Sequence, residues 1–141
     1  MAKLNVSNEI IMIDTIEHVD LLDNNDVEVR LEYISSLNEG WYYGEGSSFE
    51  RKLLDQFLNK YTDFYREDLL TPNTYPTVDG EVQLEWSNDN CDISLTVDIA
   101  SLTGDLHILY FENDAEKTEE LNLNDKEGWE KLNELIEKNI N

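Results

Sequence analysis

Nucleophilic catalysis needs a serine, threonine or cysteine with a base held beside it, and histidine is the usual base. This chain offers only His18, His107 and a single cysteine, Cys91. His107 lies in a run of apolar and aromatic residues and His18 in an N-terminal stretch without a motif, so both read as structural. Cys91 stands between Asn90 and Asp92, neither of which would lower its thiol pKa, and the expectation is a buried, inert thiol. Two histidines with no His-x-x-x-His spacing and no cysteine cluster make no zinc site. Asp23-x-Asn25-x-Val27 lacks the third ligand and the glycine of a calcium loop. The glycine loop Gly40-Trp41-Tyr42-Tyr43-Gly44-Glu45-Gly46 carries an acid and no following lysine, which argues against a phosphate cradle. No metal and no cofactor is expected. Paired carboxylates can hydrolyse glycosides, but 32 acids supply so many nominal pairs that pairing alone says nothing. A carboxylate hydrolase would need a cleft holding one acid of raised pKa.

Charge is the feature that stands out. The 141 residues hold 32 Asp and Glu against 10 Lys and Arg, a formal net charge of −22. Such a field repels nucleic acid and anionic membranes, attracts basic surfaces, and loosens the fold by self-repulsion. The charge is also unevenly placed. Between Arg66 and Lys117 lie 50 residues with no Lys or Arg and 12 acids, among them Asp79, Glu81, Glu85, Asp89, Asp92, Asp98 and Asp105.

The elements that would position these acids follow from periodicity. Asn25-x-x-Glu28 offers a capping pair for a helix over 26–38, and Ser47-x-x-Glu50 a capping box for a second helix. In that second helix Leu53, Leu54, Phe57, Leu58, Tyr61, Phe64 and Tyr65 form one broad apolar face. After Pro72 and Pro76 the period changes from 3.6 to 2. Val82, Leu84 and Trp86 alternate with acids and amides, as do Cys91, Ile93, Leu95, Val97 and Ile99, giving two strands joined around Asn88-Asp89-Asn90. A turn at Thr103-Gly104 precedes a third strand, Leu106 to Glu112, apolar on both faces, and Leu121 with Leu123 suggests a short fourth. Asn124-x-x-Glu127 caps a last helix. Residues 1–24 read as a strand or an extended arm. The expectation is a single α+β domain over 1–141: an antiparallel meander of three to four strands, two preceding helices, and one C-terminal helix, packed on one face. No apolar run reaches membrane-spanning length, and the N-terminus lacks the order of a secretory signal, so a cytoplasmic location is expected.

Gly40-Trp41 with Gly44 and Gly46, the segment Tyr75-Pro76-Thr77-x-x-Gly80-x-Val82-Gln83-x-Glu85-Trp86, and Glu127-Gly128-Trp129 resemble a set of small uncharacterised bacterial and mobile-element proteins. The likeness covers roughly residues 35 to 135. It departs at Glu81, where those proteins commonly carry a second glycine. The resemblance brings no activity and supports only the fold reading.

Alternation directs Glu81, Glu85, Asp92 and Asp98 to one sheet face with Gln83, Ser94 and Thr96, at spacings close to those between backbone phosphates: about 4.8 Å between strands and about 6.6 Å along one. Three functions fit this pattern. The leading expectation is a nonenzymatic inhibitor or decoy, of the DNA-mimic or anti-defence kind, whose acidic face occupies the basic groove of a nucleic-acid-binding protein. The second is an antitoxin or immunity-like protein that caps a dedicated basic partner, with Trp41, Tyr42 and Tyr43 as its hot spot. A carboxylate-based hydrolase is the third. Direct binding to nucleic acid or membrane is not expected.

Overall fold

The strict alternation of Val82-Gln83-Leu84-Glu85-Trp86 and Cys91-Asp92-Ile93-Ser94-Leu95-Thr96-Val97 leaves one face of each strand apolar, and that face needs a cover. In the computed structural model, which describes residues 26–141, the cover is a layer of three helices. The expectation for residues 1–24 lies outside the described residues. Helices α1 (Val27–Ser35) and α2 (Arg51–Phe64) precede the strands β1 (Asn73–Pro76), β2 (Val82–Ser87), β3 (Cys91–Asp98), β4 (Thr103–Tyr110) and β5 (Glu116–Asn122), and α3 (Lys126–Asn139) ends the chain. The five strands form an antiparallel meander in sequence order. Helix α1 packs over β1, α3 over β5, and both meet α2.

The fold is therefore α+β with its helices on one sheet face, and it has one strand more than expected. The extra strand is β1. Pro72 and Pro76 read as loop punctuation, yet β1 is an edge strand, where a proline costs no ladder hydrogen bond. Thr74, on its inner side, is buried, and its carbonyl accepts from Nε of Arg30 in α1 at 3.1 Å.

The third expected strand is displaced. β4 starts at Thr103, and the turn before it spans Ile99 to Leu102, with Leu102 in the left-handed region at φ 56°. Gly104 is no turn residue: a β-carbon there would stand 2.7 Å from Cδ1 of Leu95 on the facing strand. β4 is also not apolar on both sides, because Asp105 and His107 face away from the helices.

The expected capping boxes do not form. Asp26 caps α1, accepting from the Val29 amide at 3.2 Å, and the helix ends at Ser35; the expected cap residue Asn25 lies outside the described residues. Glu50 takes the N-cap place of α2 and Asp125 that of α3, neither with a side-chain cap bond. Burial of Phe49 and Trp129 fixes where these two helices begin. Trp129 also donates Nε1–H to the Leu123 carbonyl at 2.8 Å. Trp86 is fully buried, its Nε1–H shared between the Tyr65 hydroxyl at 2.9 Å and the Leu70 carbonyl at 3.1 Å. Cys91 is buried, and its thiol pKa is pushed up by burial and by Asp92. No described helix is long and apolar enough to cross a membrane.

Candidate partner-binding face

With three helices on one side, the other side of the sheet is left open by the described residues. The strand register decides which side chains share it. Glu85 lies opposite Ser94, Ser94 opposite His107, and His107 opposite Thr118. One step along the strands, Gln83, Thr96, Asp105 and Glu120 form the next row. Ser87, Asp92, Leu109 and Glu116 form the row on the other side.

The acids fall into two groups along the strand direction. Glu81, just before β2, Asp98 on β3, Asp105 on β4 and Glu120 on β5 cross the sheet near one end, with Asp79 in the exposed β1–β2 turn behind them. Glu85, Asp92 and Glu116 lie toward the other end, with Asp89 in the β2–β3 turn. Along their own strands Glu81 and Glu85, and likewise Glu116 and Glu120, stand about 13 Å apart at a rise of about 3.3 Å per residue, while the facing rows of the two groups, that of Asp105 with Glu120 and that of Glu85, are about 6.6 Å apart. Ser94, Thr96, His107 and Thr118 fill other places in these two facing rows and make a shallow floor.

The sequence reading named Asp79, Glu81, Glu85, Asp89, Asp92, Asp98 and Asp105 for partner binding; the register places Glu116 and Glu120 on the same face as well. Leu121 with Leu123 suggested only a short strand, whereas β5 begins at Glu116, where the alternation of Glu116, Thr118 and Glu120 was the one signal of its acidic half.

Several of these carboxylates are held in place. Asp98 accepts from the amides of Ala100 at 3.0 Å and Ser101 at 3.2 Å. Glu85 accepts from Gln83 and Asp92 from Ser87. Glu116 meets Nε2 of His107 at 2.7 Å. Among the described residues, the Lys and Arg ion pairs all belong to the helical layer and its loops: Arg51 with Glu32 and Asp55, Arg66 with Asp68 and Glu137, Lys126 with Glu130, and Lys131 with Glu119, which β5 turns toward α3. Among the described residues, the open face carries no Lys or Arg. The Glu81 carboxyl is accordingly pushed above the ordinary glutamate value, first by partial burial and then by Asp79, Asp98 and Asp105.

Ser94, His107 and Glu116 stand on neighbouring strands in an order that suggests a hydrolytic triad. Ser94 and His107, however, are not joined by a hydrogen bond in the structure, and their surroundings are a shallow sheet surface. Among the described residues, no three His, Cys, Asp or Glu side chains gather as a metal would require.

The second candidate site is the loop after α1. Tyr42 and Glu45 exchange backbone hydrogen bonds at 2.7 and 2.8 Å, closing a two-residue turn with Tyr43 at φ 53° and Gly44 at φ 88°. Positive φ at both central positions is the type I′ pattern, which favours Asn and Gly and costs a residue such as tyrosine about 1–2 kcal/mol. Tyr43 is 82% exposed and packs edge-on against the half-exposed Tyr42. Trp41 anchors the loop, donating Nε1–H to the Ser47 carbonyl at 2.8 Å. Gly46 makes room for that indole, since a β-carbon there would lie 2.7 Å from Nε1. Trp41 thus acts as a loop anchor, while Tyr42 and Tyr43 form the tip.

The two candidate sites adjoin. The Ser47 amide donates to the Val78 carbonyl at 3.0 Å, fastening the aromatic loop to the turn that carries Asp79, Gly80 and Glu81. Compared with protein-family models, with characterised proteins and with solved structures, the chain has no match.

Proposed function

We propose that this chain is a nonenzymatic acidic binding protein, an inhibitor or decoy whose open sheet face occupies the basic groove of a nucleic-acid-binding protein. The observation that carries the reading is the pair of carboxylate groups on a face that, among the described residues, is free of Lys and Arg. Successive rows of the face stand about 6.6 Å apart by strand rise, close to the spacing of backbone phosphates. Local hydrogen bonds already orient several of the acids, which lowers the ordering cost of binding. A protein that binds phosphates does so with several Lys and Arg, and a mimic of those phosphates would inherit the same salt dependence.

The test is capture by an immobilised protein in three forms. The first is the parent. The second carries Glu81→Gln, Glu85→Gln, Asp98→Asn and Asp105→Asn. The third neutralises Asp63, Glu67, Glu127 and Glu134, which have no ion-pair partner among the described residues. Both variants lose four charges. Retention of the same nucleic-acid-binding protein by the parent and the third form, and its loss from the second, supports the reading. Equal loss from both variants would reduce it to a diffuse field effect.

A second reading, an antitoxin or immunity-like cap on one dedicated basic partner, draws on the exposed Tyr42–Tyr43 tip. Capture of a small toxin that does not bind nucleic acid would favour it.

A further inference from the structure

A residue that costs conformational energy, is exposed to water and touches its own fold only through a neighbouring exposed ring invites a question about what else it contacts. Tyr43 is such a residue. Its backbone holds a left-handed conformation in a turn suited to Asn or Gly, and its ring is 82% exposed. The turn is well supported. Gly40 and Gly46 are joined by a backbone bond of 2.8 Å, Gly44 donates to Gly40 at 3.1 Å, and Trp41 is bonded to Ser47. The fold thus presents two tyrosine rings on a braced support, and large rings with few rotatable bonds make effective anchors in a partner's recess.

Its position narrows the kind of partner. Ser47 ties the loop to the β1–β2 turn, so the aromatic tip is attached at the end of the sheet where partial burial and then Asp79, Asp98 and Asp105 push the Glu81 carboxyl above its ordinary value. We infer that the Tyr42–Tyr43 tip and this acidic row form one interface, and that its partner is a basic protein with an apolar recess at the end of a Lys- and Arg-lined groove. The inference rests on the reading of the open face as a binding surface, and adds the feature that distinguishes one basic groove from another. Carboxylates alone would engage any cationic surface. An aromatic anchor beside them rewards only a surface with apolar space in the right place.

Two arginine-rich peptides of equal length and charge test this directly. One carries leucine and tryptophan between the arginines, the other glycine and serine. The parent is expected to bind the apolar peptide about tenfold more tightly. Tyr43→Asn, which suits the turn, should melt at or above the parent's temperature, and together with Tyr42→Ala should cut the preference to less than about twofold. The variant neutralised at Glu81, Glu85, Asp98 and Asp105 should weaken binding of both peptides more than the Asp63, Glu67, Glu127 and Glu134 control does. A parent that binds both peptides equally, or tyrosine variants that keep the full preference, would overturn the inference while leaving the open-face reading intact. If the open-face variant binds both peptides as tightly as the control, the open-face reading fails, and the inference that rests on it falls with it.

Discussion

A β-carbon on Gly128 would stand 1.9 Å from the carbonyl oxygen of Asn122. Gly128 lies in the first turn of α3 and Asn122 ends β5, so the absence of a side chain is what lets the chain turn from the last strand straight into the helix that covers the sheet. The obstructing atom belongs to the backbone and cannot rotate away. Gly128→Ala should therefore destabilise the fold by about 3 kcal/mol or more, beyond the usual range for an added methyl group. Urea unfolding measures this, and a loss below about 0.5 kcal/mol would mean that β5 and α3 are joined differently.

Leu95 and Gly104 make a second such pair, across β3 and β4. Leu95 is fully buried and its Cδ1 occupies the space a Gly104 side chain would need. Leu95→Ala should cost about 2–5 kcal/mol. Gly104→Ala alone should also destabilise, but the double variant should lose less than the sum, because each change makes room for the other. Strict additivity in unfolding measurements would contradict the β3–β4 register.

How much of this could be read from residues alone depended on whether the signal was local. The inner face of β2 and β3 was plain in the alternation through Trp86 and Leu95, since a period of 2 directly reports one buried side. β1 was hidden because two prolines look like a loop unless the strand is known to be an edge. Ser47 and Asn124 read as caps, but those motifs score neighbours in sequence, whereas burial of Phe49 and Trp129 decided where the helices began. Alternation placed the acids of β2 and β3 but not Asp105, because the strand that carries it was read as starting at Leu106. That the Trp41 loop lies beside Asp79 and Glu81 had no sequence signal, because the Ser47–Val78 bond joins segments separated by the whole of α2.

The charge distribution makes stability depend on pH and salt. The Glu81 carboxyl has a raised folded-state pKa, so the cost of its ionisation is absent below the unfolded value and grows as pH rises through the folded value. Cooling the charge from about pH 7 toward pH 5 should raise the melting temperature, as should added monovalent salt. Glu32 and Asp68 work in the opposite direction. Hydrogen bonds from Arg51 and Arg66 hold their pKa values down, so their contribution is lost as pH falls through those lowered values. The melting curve should thus pass through a maximum on the acid side of neutral, and Glu81→Gln should flatten the limb just above the ordinary glutamate pKa, where that carboxyl loses its proton. A melting temperature that falls steadily from pH 7 would contradict the repulsion described for the open face.

The most direct measurement of the open-face account is competition for the captured partner. Its affinity for the parent should be determined at stepped salt concentrations, with and without duplex DNA. If the carboxylates stand in for phosphates, affinity should fall steeply with salt, DNA should displace the parent at concentrations set by its own affinity, and the Glu81, Glu85, Asp98 and Asp105 variant should show a shallower salt slope. A partner that holds DNA and this protein at the same time, with a salt slope the variant leaves unchanged, would contradict it.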